Sequence, residues 1–216
     1  MKRKILKISI LTAILAIAVM GCKKDKESNS VSGNDENWVL INGVKWATRN
    51  VDKPGTFVAN PQDADMFYQW NRKIGWSSTN PMVNSNGGTK WNDSYPDGET
   101  WEKANDPSPT GYRVPTMVEI ALLLDTEKVS REWTEENGVP GYRFTDKTNG
   151  NAIFLPAAGY RNYSNGTLNY VGTNGYYWSS TQYNASYAYF LVFASGNADL
   201  SFISKTYGFT VRPVAE

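Results

Sequence analysis

The stretch Gly175-Tyr176-Tyr177-Trp178-Ser179-Ser180-Thr181 is followed shortly by Tyr187-Ala188-Tyr189-Phe190-Leu191-Val192-Phe193, and these two runs carry the strongest strand signals in the chain. Both are rich in aromatic residues, which favour strands. The second run offers large side chains to both faces of a sheet, as a strand at the centre of a core does. The pair therefore indicates an all-β or α+β core organised around residues 175–193.

Turn signals elsewhere predict further hairpins. Asn42-Gly43 separates two strand-like runs, and Asn-Gly favours the type I′ turn that joins antiparallel strands. The dipeptide recurs along the chain, which predicts repeated hairpins. The clearest further pairs are 139–146 with 151–157, and 187–193 with 198–203.

One helix is predicted with a defined start. Thr116 and Glu119 form a capping-box pattern, and apolar residues then recur at helical spacing, so residues 117–125 should pack one face on the sheet. A second, short helix is predicted near 61–65.

Two features of the composition exclude whole classes of chemistry. The chain has no His, so mechanisms and zinc sites that need imidazole are excluded. Its single Cys is Cys22, which leaves the domain without a thiol nucleophile or an intrachain disulfide. We therefore do not expect an enzyme, although carboxylate chemistry stays open.

The N-terminus reads as a secretion signal. Four basic residues precede the apolar run 8–20, which is short for a membrane span. The run ends in Val19-Met20-Gly21-Cys22, which resembles the bacterial lipobox. We expect a signal peptide at 1–21, a lipid on Cys22 that attaches the protein to the outer membrane, and a polar tether over 22–37.

The charge of the remaining chain is mildly acidic. Loss of the four basic residues of the predicted signal changes the formal net charge from +1 to −3. The sequence has no basic patch, so no nucleic-acid partner is expected.

Six motifs together resemble the Fibrobacter succinogenes major paralogous domain, in order, over about residues 38–214. The resemblance implies a C-type-lectin-like fold of the α+β class, with twisted antiparallel sheets, hairpins, one main helix and long loops, spanning 38–216. It also implies a secreted or lipid-anchored bacterial protein. The motifs are Val44-Lys45-Trp46-Ala47-Thr48-Arg49-Asn50-Val51, Met66-Phe67-Tyr68-Gln69-Trp70-Asn71, Gly111-Tyr112-Arg113-Val114-Pro115-Thr116, Leu155-Pro156-Ala157-Ala158-Gly159-Tyr160-Arg161, Tyr177-Trp178-Ser179-Ser180-Thr181 and Gly208-Phe209-Thr210-Val211-Arg212.

The chain departs from this family pattern at two positions. Many relatives carry Cys where this chain has Ser108, and some carry another where it has Pro213. The formylglycine-generating enzymes, similar at the level of fold, depend on active-site cysteines, so that activity is not implied here. Calcium-dependent lectins use a Trp-Asn-Asp triplet on a late strand, whereas Trp91-Asn92-Asp93 precedes the helix, and coincidence is our interpretation.

Acidic loop residues are the remaining candidates for chemistry. Asp63, Asp65 and Asp93 are weak calcium candidates, and no cofactor is otherwise expected. With Asp97 and Glu99 they are also candidates for a glycosidase pair, which needs two carboxylates held a set distance apart across a cleft. Solvated loop acids are the favoured interpretation of all five.

Three arginines lie inside the strand motifs. We expect internal ion pairs or hydrogen bonds to backbone for each of them. They are Arg113, Arg161 and Arg212.

The segment 71–106 has little regular periodicity and is predicted to be a long surface excursion that carries the ligand contact. Its candidate contact residues are Trp76, Trp91, Tyr95 and Trp101. Burial of each Trp against the domain is the competing interpretation, but we expect at least one of the three indole rings to be exposed.

These observations favour a non-catalytic binding or adhesion module of the cell envelope, with a glycan or an envelope protein as its partner. A structural subunit of a surface assembly or fimbria-like appendage is the alternative. A carboxylate-based glycan hydrolase is a weaker third hypothesis.

Overall fold

The computed structural model describes residues 37–216. Within that range the chain forms fifteen strands, one α-helix, α1 (Met117–Leu124), and a 3₁₀ turn at Lys103–Asn105. The strands are β1 Trp38–Ile41, β2 Val44–Ala47, β3 Met66–Gln69, β4 Gly75–Ser77, β5 Tyr112–Arg113, β6 Val129–Glu136, β7 Val139–Asp146, β8 Ala152–Pro156, β9 Tyr160–Arg161, β10 Leu168–Asn169, β11 Asn174–Gln182, β12 Tyr187–Ala194, β13 Asn197–Ser204, β14 Gly208–Phe209 and β15 Val214–Ala215.

The strands form four antiparallel sheets. Two follow the chain order, β6-β7-β8 and β11-β12-β13. The other two, β1-β2-β15-β5 and β10-β9-β14-β3-β4, join strands from distant parts of the sequence. Because β15 lies between β2 and β5, and β14 between β9 and β3, the end of the chain closes both of these sheets.

This architecture corrects the predicted fold class. Strands make up 43% of the structure and helix 6%, which is closer to all-β than to the α+β, C-type-lectin-like arrangement that we expected. A single helix of 8 residues is too short to form a layer of its own and fills a gap beside β11–β13. The helix predicted near 61–65 is also wrong, because residues 61–62 form a turn and residues 63–65 have no regular secondary structure.

The local hairpin predictions agree with the structure at most positions. β1 pairs with β2 through Asn42-Gly43, with φ of 45° and 82°. The predicted pairs β7–β8 and β12–β13 both form. One of the recurring Asn-Gly dipeptides, Asn174-Gly175, is an exception, because it forms the start of β11 and not a hairpin turn. There the ring of Phe193 covers Gly175, and a Cβ at that position would lie 2.0 Å from the ring.

The central pair β11–β12 separates two parts of the core, as the sequence predicted. Leu191 and Phe193 pack on one side with Tyr177. Phe190 packs on the other side with Trp178. Because alternate side chains of β12 point to opposite faces, one strand supplies both clusters.

The capping box and the arginines also take their predicted roles. The Thr116 side chain accepts the N–H of Glu119, and Arg113 donates to both carboxylate oxygens of Glu119, at 2.8 and 2.6 Å. Arg161 and Arg212 are buried and donate mainly to backbone carbonyls. All three arginines hold loops and strands together.

Candidate functional site

The tryptophans predicted to contact a ligand are buried. Trp76, Trp91 and Trp101 are 2%, 7% and 8% exposed, so the expectation of an exposed indole ring is wrong. Each ring has an internal partner. The indole N–H of Trp91 donates to the carbonyl of Tyr163 (2.8 Å), that of Trp101 donates to the carbonyl of Asn105 (3.1 Å), and Trp76 packs on Trp91 with centroids 5.0 Å apart.

Tyr95 is the one predicted contact residue that the fold leaves open, at 56% exposed. It lines a surface depression whose other walls are formed by tyrosines from later in the chain. The ligand-contact role of Tyr95 thus stays a prediction, now within a different surface.

This surface, the tyrosine groove, consists of two adjoining cavities. One has a volume of about 400 Å³ and the other about 270 Å³, and both are lined by Ile203 and Tyr207. The larger volume lies within the range of about 300–1,000 Å³ that is typical of small-molecule sites, and the smaller volume lies just below it. The groove tyrosines are Tyr95, Tyr160, Tyr163, Tyr170, Tyr176, Tyr187 and Tyr207.

Strand alternation places several of these rings. On β11, Tyr177 points into the core and its neighbour Tyr176 points into the groove. Tyr160 comes from β9, and Tyr207 lies just before β14. Tyr170 has φ of 58°, a conformation that is uncommon for a bulky residue, and it directly precedes a turn at residues 171–173.

The rings support one another. The centroid of Tyr160 lies 5.7 Å from Tyr170, 5.0 Å from Tyr176 and 5.4 Å from Tyr207. Tyr207 also lies 5.1 Å from Tyr163. Such contacts fix the orientation of side chains that are partly open to water, so the groove is formed before a ligand arrives.

The groove carries no formal charge. Its lining contains no Asp, Glu, Lys or Arg. Burial, followed by neighbouring tyrosines, raises the pKa of Tyr176 to about 12, and the same causes raise the pKa of Tyr160 and Tyr207. These hydroxyls stay protonated at neutral pH and can both donate and accept hydrogen bonds. The groove can therefore stack on and hydrogen-bond a neutral ligand.

The weak calcium candidates take up separate structural positions. The Asp63 carboxylate accepts the backbone N–H of Asn60 at 2.9 Å, closing a turn. Partial desolvation, then the charges of Asp52 and Asp63, raise the pKa of Asp65. Asp93 is exposed. Across residues 37–216, no three acidic side chains are grouped so that they could hold a metal ion.

A cavity of about 450 Å³ is lined mainly by polar residues, several of which hold the excursion in place. Arg72 donates to the carbonyl and hydroxyl oxygens of Ser94, at 2.9 and 2.8 Å. Asn71 donates to the carbonyl of Asp97 and accepts the N–H of Glu102, both at 2.8 Å. These bonds hold the excursion in place, so the cavity is a weaker candidate for a binding site.

A cavity of about 420 Å³ near the C-terminus is similar. Its Arg113 is paired with Glu119. Its Asp106 accepts the N–H groups of Ser108 and Val114, at 2.8 and 3.0 Å. The charged groups again serve local structure.

Six of the seven groove tyrosines were missed by sequence reasoning, which had concentrated on tryptophan. A usable signal was present, because the chain contains 13 Tyr but only 8 Phe and 8 Trp, an excess of the aromatic residue that tolerates water. Tyr160 and Tyr176 also flank core residues within strand-like runs, where alternation places them on the opposite face.

Comparison with known proteins gives one finding. Residues 139–214 match the model of a family described as a domain of unknown function, DUF8237. No curated protein and no solved structure matches the chain. The matched segment contains every groove tyrosine except Tyr95.

The predicted signal peptide 1–21, the lipidation site Cys22 and nearly all of the tether 22–37 lie outside the described residues. Within the described range, no helix has the length and apolar character needed to cross a membrane.

Proposed function

We propose that residues 38–216 form a non-catalytic module that binds a neutral glycan in the tyrosine groove. The observation that carries this proposal is a preformed groove lined by seven tyrosines and by no charged side chain. Aromatic rings stack on the C–H faces of sugar rings, and phenolic hydroxyls hydrogen-bond sugar hydroxyls.

The backbone beneath the groove favours a ligand that is bound through side chains. The carbonyl of Tyr176 accepts both the N–H and the hydroxyl of Thr210, at 3.2 and 2.7 Å. The carbonyl of Tyr170 accepts the N–H of Asn174 at 3.1 Å. A peptide that binds by strand addition needs free main-chain groups, and these carbonyls are already engaged.

The electrostatics favour an uncharged ligand. An anionic polymer gains most from Arg or Lys contacts, which the lining lacks. The lining also lacks a carboxylate that could act as a glycosidase acid or base. Binding without turnover is therefore the function we propose.

The proposed cellular setting is the outer membrane of a bacterium, with the module attached through a lipid on Cys22. The only Cys of the chain stands directly after a short apolar run. Intact-mass analysis of detergent-extracted protein should show acyl chains on Cys22, and Cys22→Ser should release the protein. A wild-type product with an unmodified N-terminus would exclude the anchor.

The binding proposal is tested with a panel of soluble neutral polysaccharides in affinity electrophoresis. Tyr163→Ala and Tyr170→Ala should each weaken retardation at least tenfold, the loss of about 1.4 kcal/mol that a contact tyrosine supplies. Tyr183→Ala is the matched control, because Tyr183 is 47% exposed, close to the 48% of Tyr163, but lines neither cavity. Equal effects of all three variants, or no binding by the wild type, would contradict the proposal.

A further inference from the structure

We infer that the tyrosine groove binds the interior of a linear polysaccharide, several sugar units at a time, and not a chain end or a single sugar. This inference rests on the proposed function of the groove and specifies the shape of its ligand. Three observations support it.

The first observation is that the two cavities share two lining residues, which makes them neighbours along one surface path. Ile203 and Tyr207 line both, so a ligand in one cavity is in reach of the other. Tyr170 belongs only to the larger cavity and is 58% exposed. Of these two cavities, Tyr95 and Tyr187 line only the smaller one, and they are 56% and 40% exposed. Tyr95 also lines the separate cavity of about 450 Å³. Each end of the path is thus marked by a tyrosine open to water.

The second observation is the series of rings along this path. From Tyr170 to Tyr160, to Tyr207 and to Tyr163, successive centroids are 5.7, 5.4 and 5.1 Å apart. Each step is close to the length of one pyranose unit in an extended chain. The planes of successive rings are inclined by 34°, 71° and 50°, so the series offers both ring faces and ring edges to a chain of sugar units.

The third observation is the small number of polar groups other than tyrosine hydroxyls. In the lining only Asn174 and Ser204 add polar side chains. Recognition of a chain end or of one particular sugar requires many placed hydrogen bonds to its hydroxyls, because discrimination comes from leaving polar groups unpaired with the wrong ligand. A groove dominated by rings instead gains affinity by adding sugar units.

The test is calorimetric titration of the protein with β-linked gluco-, xylo- and manno-oligosaccharides of two to six units, and with the parent polymers. For the oligosaccharide series that binds, affinity should rise at least tenfold from the disaccharide to the hexasaccharide. The parent polymer should bind equally well after its reducing ends are blocked.

Two variants examine the ends of the groove. Tyr170→Ala and Tyr187→Ala should each weaken hexasaccharide binding at least tenfold, and the double variant should bind the hexasaccharide no better than the disaccharide. Both residues are exposed, so the variants are expected to fold, which circular dichroism checks. Tyr183→Ala is again the control.

The outcomes separate the two proposals. Equal affinity for disaccharide and hexasaccharide, or loss of polymer binding on blocking the ends, would overturn the linear-chain inference and leave glycan binding intact. Absence of binding to every neutral glycan, together with groove-dependent binding of a protein, would overturn the proposed function itself and the inference with it.

Discussion

The excursion 71–106 and the tyrosine groove are both rich in aromatic residues, but they use them in opposite ways. In the excursion the three tryptophans turn inward and are at most 8% exposed. In the groove, four tyrosines remain at least 40% exposed. Aromatic content alone therefore did not distinguish the buried scaffold from the proposed binding surface.

The polar atom of each ring contributes to this difference but does not decide it alone. Tyr68 and Tyr177 are buried, with hydroxyls that donate to the carbonyls of Asp52 and Pro156. The N–H of the buried Trp46 has no hydrogen-bond partner within residues 37–216.

An indole has one N–H donor, which a single backbone carbonyl satisfies, so the whole ring can be buried at little cost. Trp70 and Trp178 follow the same rule, donating to carbonyls of Ser179 and Tyr68 at 2.9 and 2.7 Å. A phenol both donates and accepts, and water satisfies it easily at a surface.

The excursion also supports the groove. Besides bonding the carbonyl of Tyr163, Trp91 packs against Gly166 and Gly208, where a Cβ would lie 2.7 and 2.9 Å from its ring. The residue predicted to touch the ligand is thus a positioning residue behind the groove.

The largest expected effect tests this division. Trp91→Ala should lower the free energy of unfolding by about 3–5 kcal/mol, because it leaves a large cavity and an unpaired carbonyl. Tyr95→Ala, in the same excursion, should change it by less than about 0.5 kcal/mol. Urea denaturation measures both, and similar values for the two variants would remove the distinction between buried indoles and open phenols.

A second variant loosens the excursion without touching an aromatic ring. Asn71→Ala should cost about 2–3 kcal/mol, since the N–H of Glu102 and the carbonyl of Asp97 lose their partner. Part of this cost comes from the backbone, because Asn71 has φ of 50°, which Asn adopts more readily than Ala. Asn86→Ala, at an exposed turn of the same excursion, is the control and should cost less than about 0.5 kcal/mol. If Asn71→Ala were as mild as its control, the excursion would be held mainly by its tryptophans.

Acid should lower the free energy of unfolding through protonation of Glu119. Burial raises the pKa of Glu119, but hydrogen bonds from Arg113 and Thr116 outweigh it, and the net pKa is lowered. A carboxyl with a lowered folded pKa adds stability above its unfolded pKa, and this contribution is lost as the pH falls through the folded pKa. Glu119→Gln should cost about 1–2 kcal/mol at pH 7 and reduce the loss of stability between about pH 5 and pH 3. The measurement is urea denaturation at several pH values, and an unchanged acid profile would refute this role.

The smallest effect concerns one hydroxyl in the groove. Tyr207→Phe keeps the ring that both cavities share, so stability should change by less than about 0.5 kcal/mol. Glycan affinity should fall about two- to tenfold, the value of one hydrogen bond. Titration calorimetry on Tyr207→Phe beside Tyr207→Ala shows how much of the contact is stacking. A loss as large as that of the alanine variant would mean that the hydroxyl, and not the ring, carries recognition.

Local chemistry made part of the fold predictable. The Asn42-Gly43 turn, the cap at Thr116 and the two-faced run 187–193 each depend on residues that are close in sequence, and each formed as expected. The helix near 61–65 failed because its weak signal was outweighed by turns such as the one closed by Asp63.

By itself, the sequence determined the hairpins, the single capped helix, the structural arginines and the absence of imidazole and of thiols in the domain. Only the tertiary structure decided the all-β character and the position of the groove. The reason is that both depend on residues far apart in the sequence. The groove brings Tyr95 together with Tyr207, and the indole N–H of Trp91 donates to the carbonyl of Tyr163. Whether an aromatic ring is exposed depends on such remote partners, which no local pattern contains.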